Sequence, residues 1–195
     1  MKTKDIIILI IIIVLAIGGY LIFTSDWFNL WRAPRPEDLT SEQINTMYDE
    51  FLQAGIEKSE EGKCKEAILD FEKAIKVAPN AQPPRSNIAA CCIEMENYKC
   101  AEDAYLEIIK LEYEPNTVKR LSELYKDKLN DPDKAIGILK SAYEAFPSYL
   151  DFSYSLGRLY MELGDKVNAI KYFKIGLEIA PDDQNLKDLI TELEK

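Results

Sequence analysis

Four alanines stand in a strict period of 34 residues: Ala67, Ala101, Ala135 and Ala169. Four places after each comes a large residue, namely Phe71, Tyr105, Leu139 and Phe173. Pro79, Pro147 and Pro181 close three of the four units. The last copy is the clearest and predicts two antiparallel helices. Gly157 and Ala169 lack bulk where those helices cross, and Tyr160 and Phe173 fill the space around the crossing. Gly164-Asp165 breaks the chain between the helices, and Pro181 stops the second one. One such hairpin cannot bury its own apolar face, so the copies have to stack on one another.

The order Gly157, Tyr160, Ala169, Phe173, Pro181 resembles the tetratricopeptide repeat signature, and the resemblance extends over residues 48–183. It implies an all-α fold of four helical hairpins, at about 48–81, 82–115, 116–149 and 150–183, forming a right-handed α-solenoid over residues 40–183. The first helix of each hairpin, helix A, would line the concave side. At strict period the third repeat places Ser122, Glu123 and Lys126 at key helix A positions. Sliding that helix by one residue brings Val118, Leu121, Ser122, Leu124 and Tyr125 into register with Ser153, Leu156, Gly157, Leu159 and Tyr160. The slide requires one extra residue in the third hairpin turn, around Leu129-Asn130-Asp131-Pro132, and a preceding connection shortened by one. Asp131 then caps the second helix and Pro132 opens it.

Both ends of the array carry additional segments. Thr40-Ser41-Glu42-Gln43 offers a capping box at the start of the first helix. Asp182-Asp183 precedes a last helix, 184–195, whose Leu186, Leu189, Ile190 and Leu193 form one stripe; it is expected to cover the open end of the solenoid. At the other end, after a short tail at 1–5, Ile6 to Phe23 is an uncharged, mostly Ile and Leu run. As a helix it spans roughly 27 Å, close to the bilayer hydrocarbon thickness. Trp27, Phe28 and Trp31 follow where interfacial aromatics belong, with Arg32 and Arg35 beyond and a Pro34/Pro36 linker closing the segment 24–39. A cleaved signal peptide is the competing reading, with Ala16-Ile17-Gly18 as its small-x-small site. The apolar run continues past that site through Leu21-Ile22-Phe23, so an uncleaved single-pass transmembrane helix at 6–23 is expected. The short tail and large C-terminal domain fit a signal-anchor with the repeats outside the cytoplasm. Lys2 and Lys4 nearly balance Arg32 and Arg35 in the positive-inside comparison.

Composition narrows the function. A formal net charge of −10 argues against a nucleic-acid partner, which needs a basic face. The absence of histidine removes the commonest general base and most zinc sites. No phosphate-binding glycine loop is present, and the carboxylates, including the pair Glu102-Asp103, are expected on solvated helix faces. No catalytic residue, cofactor or small-molecule substrate is therefore expected. Protein or peptide binding is implied by the resemblance, with the inward helix A positions as groove candidates. These are Leu52, Ile56 and Ser59, then Ser86, Ala90 and Ile93, then Lys119, Glu123 and Lys126, and finally Tyr154, Arg158 and Met161. Some members of the family hold chaperone carboxylate tails through Lys, Asn and Arg. Asn87 and Arg120 are compatible with that clamp, but Leu52, Ile56 and Asn116 replace residues it requires, so it is not carried over. An accessory subunit whose repeats pack permanently in a complex is the alternative.

Cys64, Cys91, Cys92 and Cys100 all lie in the first two repeats and admit three readings. They are free core thiols, members of one or two disulfides, or a metal site. The third would need all four sulfurs, although adjacent Cys91 and Cys92 point about 100° apart on a helix.

Overall fold

The computed structural model describes residues 39–195. The expected bilayer segment at 6–23 and the segment 24–38 lie outside the described residues. The chain divides into two compact units, residues 1–44 and 45–195. In the first, the Thr40 amide donates to Gln43 Oε1 at 2.9 Å and the Gln43 amide donates to Thr40 Oγ1 at 3.3 Å, a reciprocal capping box. Among the described residues, no helix is long and apolar enough to cross a membrane.

Nine helices and no strand occur among the described residues: α1 (Ser41–Glu60), α2 (Cys64–Val77), α3 (Pro83–Glu94), α4 (Tyr98–Leu111), α5 (Pro115–Asp127), α6 (Pro132–Ala145), α7 (Leu150–Glu162), α8 (Lys166–Ile179) and α9 (Gln184–Leu193). They pair as α1/α2, α3/α4, α5/α6 and α7/α8. Each hairpin packs on the next. Ala67, Ala101, Ala135 and Ala169 are all fully buried, which explains their period: a side chain larger than methyl would hold neighbouring helices apart. The same demand falls on Gly55 and Gly157. A Cβ on Gly55 would lie 2.5 Å from the ring of Phe71, and one on Gly157 would lie 2.5 Å from the ring of Phe173.

The hairpin turns repeat as strictly as the core. Gly62, Glu96, Asn130 and Gly164 have φ of 73°, 57°, 50° and 78°, again at a spacing of 34. Each ends a helix A in the left-handed conformation, a C-terminal cap that glycine adopts without steric cost. The next residue bonds back to its helix: Lys63 to Lys58 O at 2.8 Å, Asn97 to Cys92 O at 2.8 Å and Asp165 to Tyr160 O at 2.9 Å. In the third hairpin Asp131 reaches Tyr125 O at 2.8 Å, one residue further back. That is the extra residue inferred from the sequence. Lys128 to Asp131 fills this turn, while Glu112 to Glu114 forms a connection shorter than the other three. Asp131 caps α6 by accepting from the Lys134 amide at 3.0 Å, and Asn97, Asp165 and Asp183 cap α4, α8 and α9 in the same way.

The largest apolar cluster runs from Ala89 to Ile190. At the distal end Leu186 and Ile190 of α9 are buried, Leu189 and Leu193 pack beside them, and α9 closes the array. A smaller cluster of Cys64, Ala67, Phe71 and Cys91 joins the first repeat to the second. In the first repeat, Lys58 stands where the resembled pattern has tyrosine. Its ammonium pairs with Asp70, and Lys73 meets the other oxygen of that carboxylate at 2.6 Å. These two lysines hold the buried Asp70 carboxyl below its usual range.

Two expectations from the sequence need refinement. Glu102 is buried rather than solvated. Burial opposes its charge, but Lys99 at 3.0 Å and the Tyr125 hydroxyl, which donates to it at 2.9 Å, hold its pKa below the usual carboxylate value. Cys92 and Cys100 form a disulfide with a Cα–Cα distance of 5.7 Å, joining α3 to α4. Cys64 and Cys91 are free and buried. Burial, followed by hydrogen bonds to Cys91 and Glu94, pushes the Cys64 thiol up to about 12. No cluster of metal-ligating side chains occurs among the described residues.

Candidate functional site

Helix α5 forms the floor of a trench, because Lys119, Arg120 and Glu123 are exposed while Val118, Leu121, Leu124 and Tyr125 are buried. Toward α7 lies a cleft of about 200 Å³, lined by Lys119, Ser122, Glu123, Lys126, Tyr154, Ser155, Arg158 and Glu162 over Leu139 and Leu159. Toward α3 lies a second cleft of about 510 Å³, lined by Ser86, Glu114, Asn116, Thr117, Lys119, Arg120 and Glu123 over Tyr105. Lys119 and Glu123 line both clefts. The two spaces therefore adjoin across α5 and reach three successive A helices.

The structure brings six of the sequence candidates together: Ser86, Lys119, Glu123, Lys126, Tyr154 and Arg158. Leu52 and Ile56 instead lie partly buried against the Cys64–Phe71–Cys91 cluster. Ile93 and Met161 pack partly on the main core, Ala90 is exposed, and none of these lines either cleft. Ser59 spends its hydroxyl on the Ile56 carbonyl at 2.8 Å. Leu52 and Ile56 thus pack on the cluster that joins the first two repeats.

Inward-position counting misses several lining residues, among them Ser155, Asn116, Thr117, Arg120 and Glu162. Glu162 is the one that joins two helices. It accepts from Lys126 at 2.7 Å and from Arg158 at 3.3 Å, tying α5 to α7. Its hydrogen bond with Lys126 holds the Glu162 carboxyl below the usual range and raises Lys126. Its i+4 spacing from Arg158 is the sequence signal that could have found it. Tyr154 is held from the far side, where the Asn185 amide of α9 meets its hydroxyl at 3.4 Å. Ser122 and Ser153 direct their hydroxyls at carbonyls of their own helices, so they are small fillers rather than nucleophiles. The trench is charged on both signs, aromatic at one end, and open along its length. It can hold an extended chain by hydrogen bonds and ion pairs.

A model of the tetratricopeptide repeat matches residues 128–193. The bovine (Bos taurus) BBSome complex member BBS4 is 29% identical over 129 residues, which cover 66% of this chain and 24% of that protein. The chain thus spans about a quarter of the length of this curated relative. Among solved structures, MamA superposes with a TM-score of 0.55 at 22% identity, covering 71% of this chain and 81% of that one. PilF of Pseudomonas aeruginosa gives 0.54 at 15% identity, with 77% and 68% covered. A tetratricopeptide repeat protein from Parabacteroides merdae gives 0.60 at 18% identity, with 76% and 59% covered. At these identities the solved structures speak for the fold alone. Together, the match over residues 128–193 and the likeness of fold support the tetratricopeptide repeat family for this chain.

Proposed function

We propose that this chain is a membrane-anchored tetratricopeptide scaffold that binds a segment of another protein along its concave face. It would bind rather than catalyse. The observation that carries the reading is the trench over α5, where Lys119, Glu123, Tyr154 and Arg158 converge from consecutive repeats onto one accessible space. A solvated helix face requires no such convergence. The anchor is the apolar run 6–23, which would hold the repeat domain near the bilayer, outside the cytoplasm.

The test is co-purification of partners with the full chain and with Tyr154→Ala/Arg158→Ala. Loss of a recovered partner supports the groove; retention of every partner overturns it. Protease digestion of intact cells tests the topology: cleavage of the repeat domain from outside is expected, and complete protection overturns the orientation.

A second reading is favoured by one observation, the 129-residue similarity to a protein named as a member of a multiprotein complex. In that reading the repeats pack permanently in an assembly, and the chain is an accessory subunit without an exchangeable ligand. The two separate by exchange. A labelled chain added to the purified assembly enters it within minutes if contacts are reversible and stays out if they are permanent.

A further inference from the structure

We infer that the edge formed by the inter-repeat connections docks a basic segment of a partner protein, with the exposed rings of Phe146 and Tyr149 as its apolar anchor. This surface lies apart from the concave trench and goes beyond the groove reading.

Hairpin turns and inter-repeat connections lie at opposite edges of the array, because the two helices of each hairpin run antiparallel. The turn edge is mixed in charge, with Glu61 and Lys63 in one turn and Lys128 and Asp131 in another. The connections 78–82, 112–114, 146–149 and 180–183 contain Glu112, Glu114, Asp182 and Asp183 but no Lys or Arg. Of these carboxylates, Glu114 lines the trench and Asp183 caps α9.

Three large apolar side chains stay exposed at the connection edge: Leu111 at 42%, Phe146 at 44% and Tyr149 at 39%. Phe146 and Tyr149 share one tight turn, in which the Tyr149 amide donates to the Phe146 carbonyl at 3.0 Å. Each ring is backed by another. Tyr113 stacks against Phe146 with ring centres 4.8 Å apart, and the buried Phe152 lies 5.0 Å from Tyr149. The two rings are thus already ordered while much of each stays in water. Such rings lose little conformational freedom when a partner covers them, and aromatic anchors carry much of the energy of an interface.

The rim sets the sign of the partner. Within two residues of Leu111, Phe146 or Tyr149 the exposed charges are Glu112, Glu144 and Asp151 against Lys110. Glu112 accepts from the neutral Gln82 amide at 2.7 Å. Lys140, one turn before Glu144, is directed over the Tyr160 ring at 5.7 Å. The charge around the rings is net negative, as is that of the whole chain at −10. An acidic segment is repelled here, and a basic one bearing apolar side chains is drawn in.

The test uses three fluorescein-labelled dodecapeptides: Lys with Leu, Glu with Leu at the same positions, and Lys with Ser in place of Leu. Binding to the full-length protein is followed by anisotropy at low and high salt. The Lys/Leu peptide is expected to bind at least about tenfold more tightly than either of the others, and to weaken as salt screens the contact. Phe146→Ala/Tyr149→Ala, which leaves every charge in place, should lower its affinity at least about tenfold. Glu112→Gln/Glu144→Gln/Asp151→Asn, which leaves both rings in place, should weaken it and reduce its salt dependence. Leu69→Ala/Val167→Ala, at two exposed apolar side chains of α2 and α8, should retain it. Equal binding of the Glu/Leu or Lys/Ser peptide, undiminished binding by the ring variant, or binding of none of the three overturns the proposal. If Tyr154→Ala/Arg158→Ala abolishes binding instead, the peptide sits in the trench; the edge proposal falls and the groove reading stands. A native dimer that the ring variant splits into monomers also overturns it, since a second copy would then cover the rings.

Discussion

The ring of Phe173 covers Gly157 so closely that a Cβ there would stand 2.5 Å from its Cδ1. The crossing of α7 and α8 is set at this point. Gly137 of α6, by contrast, has no atom within 4 Å of its would-be Cβ. The same substitution should therefore have opposite signs at the two sites. Gly157→Ala is expected to destabilise by about 1–3 kcal/mol, because the ring and both helices have to shift. Gly137→Ala should stabilise by up to about 1 kcal/mol, through helix propensity and a stiffer unfolded chain. Urea denaturation of the two variants checks both, and equal signs would disprove the packing account.

Glu96 occupies the turn position that is glycine in the first and fourth hairpins, with φ of 57°. Its side chain is exposed, so its removal sacrifices no packing. Glu96→Gly should raise stability by about 0.5–1 kcal/mol, the cost of a left-handed conformation less the extra unfolded-state freedom of glycine. Thermal denaturation reads the change, and a fall in Tm would contradict it.

Tyr125 couples α5 to α4 by donating to the buried Glu102 carboxylate. Burial, and then that hydrogen bond, raise its pKa from 10.0 to about 12. A raised folded-state pKa stabilises fully below pH 10, and this contribution disappears as pH rises toward 12. Tyr125→Phe is expected to cost about 1–2 kcal/mol at neutral pH, since it leaves a buried acceptor short of a partner. It should also flatten the stability profile above pH 10. A profile as steep as that of the native chain would assign the alkaline loss to other groups.

Cys92 and Cys100 are joined, whereas Cys64 and Cys91 are free and almost inaccessible. Thiol labelling should therefore find two reactive cysteines in denaturant without reductant and four with it. The double variant Cys92→Ala/Cys100→Ala should lose about 2–3 kcal/mol, on the chain-entropy account of a short loop. Four labelled cysteines without reductant would remove the disulfide.

The period, the displaced helix of the third repeat, its capping Asp131 and the closing helix α9 were all legible in the sequence. Each is a local property: alanine where helices touch, a turn residue at a fixed offset, or an apolar stripe at helical spacing. Pairings across elements were harder to read. Three fates stood open for the cysteines, because a disulfide depends on which sulfurs the stacked helices bring together. Glu102 read as a surface carboxylate because its partner Tyr125 lies in the next repeat. Leu52 and Ile56 read as groove residues because position counting alone does not show that the first repeat needs them against Phe71 and Cys91.

By itself, then, the sequence determined the repeat, its register and the all-helical architecture, since small residues at a fixed interval admit only one way for hairpins to stack. Only the tertiary structure decided which charges of the concave face are already spent. Glu162 lies 36 residues from Lys126, yet it neutralises that lysine and contacts Arg158. Lys119, seven residues before Lys126 on the same helix, forms no ion pair among the described residues. Ion pairing depends on distances of a few ångströms between stacked helices, and periodicity along the chain does not encode those distances.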